Sequence, residues 1–375
     1  MKTVLHIFND QLGFFTNKTV QYLEGLKPNA NVFLNTAPNC KNNSDKILYS
    51  SLNHLLENKN SLKDIKLVIF HSYNYSNKGQ IQKIKTELNN NKIKFVWIFW
   101  SHEFYQLPEF FSMLYQGFSR KFYLRKILSF HVDYFLKFFK GQFDFPFYLG
   151  LKNFKKTFTG FDTIASLVKH DYLNVTEGIE GVKYAYVSYI SLNDFPKINH
   201  NFHDEKNDIM IGHSGSPILN HYEIIEHLSK INAKNNIYIP LAYGKPSYIK
   251  ALQHKINSTI TNLNITIQSD FMPKEEYYKK IESVGYFFLN SYCQQALANI
   301  FFFLWVGTKV YLRKNTSSYK SLKEKGFHVA SIEDDFNELI PLTTEEKIHN
   351  HKLVEEMINQ NTLDEAWSNV MLINH

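Results

Sequence analysis

Hydrophobic positions in this chain fall into short, nearly unbroken runs, separated by longer segments in which they recur every three or four residues. In the first half the runs predict strands over 2–8, 31–35, 67–72 and 94–100. The periodic segments between them predict helices over 17–26, 44–57 and 80–88. Runs such as LVIFHS and KFVWIFW show no polar alternation, as expected of strands covered on both faces in a parallel sheet. Strand–helix alternation at this spacing predicts βαβ units and a doubly wound sheet. The rhythm breaks over 109–156 and resumes with strands over 162–166 and 184–190.

A second series follows the polar, unpatterned segment 192–206, LNDFPKINHNFHDEK, which reads as a linker. It predicts strands over 208–213, 237–243, 265–269, 285–290 and 309–313, and helices over 221–231, 245–256, 274–284 and 294–305. TTEE at 343–346 matches a capping box and opens a terminal helix running toward Met371. The expected fold is α/β, with two Rossmann-like, doubly wound domains facing a cleft and a C-terminal helix. The boundaries are 1–195 with an insertion near 109–156, then 205–342, then 343–375. A length of 375 residues also favours two cores over one.

Chemistry is expected where strands end, because open α/β sheets bind ligands at their carboxyl edges. The clearest such place is IMIGHSGSPILN at 209–220. Gly212 and Gly215 allow close backbone approach, Ser214 and Ser216 add hydroxyls, and the following helix offers N–H groups to a phosphate. The spacing matches neither the dinucleotide fingerprint nor the Walker A loop, and a plain βα turn explains it too. NSYCQQALA at 290–298 places Asn290, Gln294 and Gln295 before a hydrophobic helix, where they would meet a ribose or phosphate or simply cap the helix. FWSHEFY at 99–105 sets His102 beside Glu103 at a strand end, and His71 ends the preceding strand. A carboxylate and imidazoles there are material for general acid–base chemistry, or satisfied side chains of no catalytic use. Asp-x-Asp is absent and 333–335 reads as a solvated acidic helix start. No cofactor or metal is expected, so Lys245 or Arg313 would help neutralise phosphates.

Composition narrows the classes. Apolar residues make up 44% and charged residues 21%, ordinary for a globular chain. The two cysteines, Cys40 and Cys293, match no metal or redox spacing and suit a reducing compartment. The start has no signal-peptide pattern, and the longest apolar run, 300–306, is far short of a bilayer span. A cytoplasmic protein, peripheral on the cytosolic face of a membrane, is the expectation. Part of the net charge of +7 follows from a chain rich in Lys, Asn and Ile. The rest concentrates in 109–156, where Arg120, Lys121, Arg125 and Lys126 are interleaved with phenylalanines and tyrosines. Such a stretch would lie on a membrane surface, or pack its aromatics on the protein's own core. Binding of nucleic acid is not expected, since no recognised module accompanies it.

Taken together these residues resemble the Fuc4NAc (4-acetamido-4,6-dideoxygalactose) transferases of enterobacterial common antigen synthesis. The resemblance rests on 4–6, 17–19, IFHS ending at Ser72, and Trp100 with Glu103 and Tyr105. It continues through IGHSGS at 211–216, IPLAYGKPSYI at 239–249, 271–278, and GYFFLN…QQ at 285–295. It implies the GT-B fold, a dTDP-sugar donor held by the second domain, and an undecaprenyl-diphosphate-linked acceptor met by the first. By position, Ser214, Gly215, Tyr243, Gly244, Asn290, Gln294 and Gln295 would line the donor site, and Glu103 stands where the family has aspartate. Ala296, Leu297 and Ala298 depart from the family's small residues, and 109–156 is longer. The expected function is therefore transfer of a sugar from a nucleotide diphosphate to a lipid-linked glycan in bacterial surface polysaccharide assembly. A sugar-nucleotide epimerase on the same architecture and a non-catalytic membrane-recruited binding protein are the alternatives.

Overall fold

A computed structural model describes residues 3–9, 14–37, 46–49, 52–57, 62–73, 79–88, 92–105, 110–124, 160–198 and 200–373. They form two compact units. The first holds the described residues up to Phe104, those of 160–191, and those from Ile358 on. The second holds Tyr105, 110–124 and the described part of 192–357.

The first unit is built on a seven-stranded parallel sheet: β1 Val4–Phe8, β2 Asn31–Asn35, β3 Ile47–Tyr49, β4 Leu67–Phe70, β5 Lys94–Ile98, β6 Thr163–Ser166 and β7 Lys183–Tyr186. Their order is β3-β2-β1-β4-β5-β6-β7. The second unit holds β8 Asp208–Ile211, β9 Asn236–Pro240, β10 Asn264–Gln268, β11 Val284–Leu289, β12 Lys309–Leu312 and β13 Ala330–Ser331. These run β10-β9-β8-β11-β12-β13, again all parallel. Both orders place the first strand of the unit centrally and reverse direction beside it, the doubly wound arrangement that the sequence predicts. The central strands β1, β4, β8 and β11 are buried almost throughout.

Several expectations need correction. Residues 44–57, expected as one helix, supply strand β3 and the short helix Leu52–Glu57, because Ile47–Tyr49 extends the sheet beside Phe33–Asn35. The terminal helix is two helices, Thr344–Ile358 and Gln360–Met371. Asn359 breaks them with an extended backbone and caps the second, its side chain accepting the Thr362 N–H at 2.9 Å. The capping box itself forms reciprocally between Thr343 and Glu346. The second helix belongs to the first unit's core, where Leu363, Trp367 and Val370 pack with Val4, Ile69 and Val96. The segment after residue 191 is no free linker. Phe195 packs on Tyr278, Phe302 and Trp305, and Lys206 donates to the Val306 carbonyl.

The beginning of the basic aromatic stretch packs with the second unit. Phe118 and Phe122 lie against Tyr222 and Tyr248 in that unit's core. Glu223 accepts the Phe118 N–H at 2.7 Å at the start of helical residues 117–124. Arg120 donates to the carbonyls of Tyr115 and Ser112, whereas Lys121 and Leu124 are exposed. Arg125 and Lys126 lie outside the described residues. Among the described residues no helix is long and apolar enough to cross a membrane.

Candidate functional site

In the second unit the loops after β8, β9, β11 and β12 meet at the carboxyl edge of the sheet. The loops after β8 and β9 are fused. The Gly215 N–H donates to the Tyr243 carbonyl at 2.6 Å, and the Lys245 N–H donates back to Gly215 at 3.0 Å. This approach explains Gly244, whose φ is +134° and where a Cβ would stand 2.4 Å from the Gly215 carbonyl carbon. Gly212, at φ +67°, gives its N–H to Phe288 and leaves no room for a side chain beside His221. Ser214 is buried, and Ser216 precedes a one-turn helix, Pro217–Leu219, without capping it by its side chain.

The loops after β8 and β11 are tied by two asparagines. Asn220, in the left-handed region at φ +43°, donates through Nδ2 to the carbonyls of Asn290 and Leu114. Asn290 returns a bond to the Asn220 carbonyl at 3.0 Å. The Asn290 side-chain oxygen also accepts the Nε–H of Arg313, the residue that follows β12. The guanidinium reaches Gln116 at 2.7 Å and Glu333 at 3.2 Å, and lies 5.0 Å from the Tyr292 ring centroid. Glu333 is thus the counter-ion of Arg313; it, Asp334 and Asp335 are exposed as expected, but they form a turn and no helix starts there.

Gln294 and Gln295 precede the helix Leu297–Trp305 instead of opening it, because Ala296 turns left-handed at φ +52°. Among the described residues no side chain caps that helix, whose first N–H groups point to the carboxyl edge. Lys245 sits at the start of the helix Pro246–Thr259, its ammonium 4.4 Å from the Tyr123 ring centroid. Beyond it, Tyr243 is 61% exposed and Phe271 is 84% exposed, the most exposed aromatics among the described residues. Pro240 and Gln268 are register partners on β9 and β10, and each exposed ring follows its partner by three residues. Gln116, Asn220, Tyr292 and Phe271 carry no ligand-binding signal in the sequence, since only folding brings them to this edge.

In the first unit, His71 and Glu103 lie at the carboxyl edge, and the side chain of His102 lies outside the described residues. Glu103 is buried and brackets two loops, one oxygen accepting the Trp100 N–H at 3.0 Å and the other the Tyr73 N–H at 3.4 Å. His71 is stacked on Phe8 and bonded to His6 and Tyr189. Among the described residues, no three His, Cys, Asp or Glu side chains gather as a metal site.

Burial drives several imidazoles down from the ordinary 6.5, His6 and His213 to about 4 and His221 to about 3. The folded chain therefore holds them neutral, while the unfolded chain protonates them below pH 6.5. Their contribution to stability is full above about pH 6.5 and is lost as the pH falls through the folded values near 4. Urea midpoints are expected to fall steadily from pH 6.5 to 4.5; a flat profile would contradict buried neutral histidines.

Two doubly wound parallel units in one chain are the plan of the GT-B fold. Solved structures of that fold are similar to this chain over nearly its full length. A glycosyltransferase from Rickettsia africae has a TM-score of 0.63 at 10% identity, over 99% of both chains. Anabaena Alr3699/HepE in complex with UDP has a TM-score of 0.60 at 10% identity, over 99% of both chains. A UDP-forming α,α-trehalose-phosphate synthase from Burkholderia xenovorans has a TM-score of 0.59 at 8% identity, over 100% of this chain and 98% of the other. At such identities the likeness is one of fold. No protein-family model and no curated protein sequence matches the chain.

Proposed function

We propose that this protein is a glycosyltransferase whose second unit holds a nucleotide-sugar donor and whose first unit meets the acceptor. The observation that carries the reading is the carboxyl edge of the second sheet. It combines an uncapped helix N-terminus, the fused glycine loops, the cations Lys245 and Arg313, and two exposed aromatic rings at matching register. N–H groups and cations suit a diphosphate, and exposed rings suit a nucleobase. The likeness in fold to HepE, whose structures hold UDP, UDP-glucose, or UDP and glucose, supports the same reading.

In the reaction, the bond between the anomeric carbon and the β-phosphate oxygen breaks and the nucleoside diphosphate leaves. A bond forms from the anomeric carbon to an acceptor oxygen, whose proton passes to the departing diphosphate or to water. The N–H groups, Lys245 and Arg313 stabilise the charge that grows on the leaving diphosphate, and no metal is assigned to that task. Glu103, with both oxygens on backbone N–H groups, holds loops in place in this reading. The resemblance to Fuc4NAc transferases points further, to a dTDP-linked deoxyamino sugar and an undecaprenyl-diphosphate-linked acceptor on a cytosolic membrane face. Exposed Lys121 and Leu124 are compatible with a membrane surface there.

The test is release of nucleoside diphosphate from dTDP-, UDP- and GDP-sugars, with and without undecaprenyl-diphosphate-linked N-acetylglucosamine. Acceptor-dependent release is expected, undiminished by EDTA. Release from no donor, with or without acceptor, would reject the reading.

A further inference from the structure

In the loop after β8 the backbone is committed and the side chains are not. The Gly212 N–H is given to Phe288, and Gly215 bonds with Tyr243 and Lys245. Yet the side chains of His213, Ser214 and Ser216 bond to no group among the described residues. Asparagines at the same edge behave differently. Asn220 and Asn290 spend their amides on each other's carbonyls, on Leu114 and on Arg313. Three uncommitted polar side chains in one loop are what a ligand-binding turn needs, since each is satisfied only by something the chain does not supply.

His213 says most about that ligand. Its ring is partly exposed between buried neighbours, and of its two nitrogens only Nδ1 is sealed inside the protein, without a partner. Nε2 is therefore the nitrogen that reaches the outside. Burial drives the ring's pKa down to about 4, so near neutral pH it carries a single hydrogen. A sealed N–H without an acceptor is a rarer defect than a sealed acceptor without a donor. The hydrogen accordingly sits on Nε2, and the open side of the ring only donates. His221 gives the contrast: fully buried, with Nδ1 3.2 Å from the Tyr248 hydroxyl, it belongs to the core.

A group that meets Nε2–H must accept. His213 follows β8, the first strand of its sheet, by two residues, and that first strand-to-helix turn is where a doubly wound sheet receives a pyrophosphate group. Ionised phosphate oxygens accept and do not donate, and the hydroxyls of Ser214 and Ser216 can serve them too. The ring lies 6.4 Å from that of Tyr243, the exposed aromatic proposed to meet the base.

We propose that His213 binds the nucleotide sugar through its Nε2–H, which donates to a diphosphate oxygen. The inference rests on the reading of the second unit as the nucleotide-sugar site. It adds a neutral hydrogen-bond donor to the cations Lys245 and Arg313, so His213 fixes where a phosphate sits without adding to the charge that holds it. Glutamine at this position places an amide N–H near the site of Nε2. Asparagine reaches only as far as Nδ1, and phenylalanine keeps the ring with no hydrogen to give.

The full chain and its His213→Phe, His213→Asn and His213→Gln variants are titrated calorimetrically with dTDP, UDP and GDP. For whichever nucleotide binds, affinity is expected to fall about tenfold in the first two variants, as for loss of a hydrogen bond to a charged group, and to recover in His213→Gln. Long-range ¹⁵N–¹H spectra of the wild type, with His213 assigned through the variants, should show hydrogen on Nε2 and none on Nδ1. The Nε2 resonance should move with the diphosphate and stay in place with the matching nucleoside. Hydrogen on Nδ1, an unmoved Nε2 in the nucleotide complex, or unchanged affinity in His213→Phe and His213→Asn would overturn the proposal. Equal movement with the nucleoside would put the contact on base or ribose and overturn it too. Equal loss in all three variants, with lowered unfolding temperatures, would make the role structural and likewise overturn it. Absence of nucleotide binding by the wild type would instead reject the reading of the second unit, and this proposal with it.

Discussion

Replacement of Trp367 by alanine is expected to destabilise the first unit by about 3–5 kcal/mol, the cost of removing a large aromatic from a packed core. Trp367 is fully buried, donates its indole N–H to the Ser188 carbonyl at 2.8 Å, and contacts the rings of His71 and Tyr189. It sits on the helix Gln360–Met371, which the chain reaches only after completing the second unit. The side chain thus fastens the end of the sequence into a core assembled from its beginning. Urea unfolding followed by tyrosine and tryptophan signals should show an earlier transition. Because the chain has two units, the first-unit transition must be fitted separately. A loss below about 1 kcal/mol would mean that the helix adds little to that core.

The second large effect is expected from Gly244→Ala. The residue combines a φ of +134° with a backbone approach to Gly215 that leaves no space for a methyl group. Strain at such a φ and forced displacement of backbone each cost about 1–3 kcal/mol. The fused loops after β8 and β9 would part, and with them the proposed spacing between the diphosphate-binding groups and Tyr243. Nucleotide affinity is expected to fall at least tenfold, together with a lower unfolding temperature. Gly25→Ala is the control, since a Cβ there meets nothing within 4 Å and the helical backbone needs no positive φ. It should be neutral or stabilising by up to about 1 kcal/mol. Equal behaviour of the two variants would refute the loop-fusion account.

The fold was legible because the buried strands are written as unbroken apolar runs and the helices as periodic ones. LVIFHS and VGYFFL could hardly be anything but central strands, and both are. Ile47–Tyr49 was hidden because three residues carry no period, and only pairing with Phe33–Asn35 makes them a strand. Asn359 was hidden because the apolar spacing continues across it, while the turn depends on a local side-chain cap. The site was legible in part. IGHSGS and NSYCQQ mark two carboxyl-edge loops, yet Gly215 and Gly244 are explained by contact with each other, which no local pattern reveals. Gln116 stands among aromatics in the sequence and reaches Arg313 where Phe118 and Phe122 pack their rings against the core of the second unit. His6 reads as one polar residue in a strand, and its partner His71 lies 65 residues away.

The central claim is that the second unit binds a nucleoside diphosphate. Calorimetric titration of the full chain with dTDP, UDP and GDP tests it most directly, with inorganic pyrophosphate alongside. The account predicts one site per chain for at least one nucleotide, binding more tightly than pyrophosphate because the exposed rings of Tyr243 and Phe271 add a base contact, and at least tenfold weaker in Gly244→Ala. Absence of binding by all three nucleotides at millimolar concentration would contradict it.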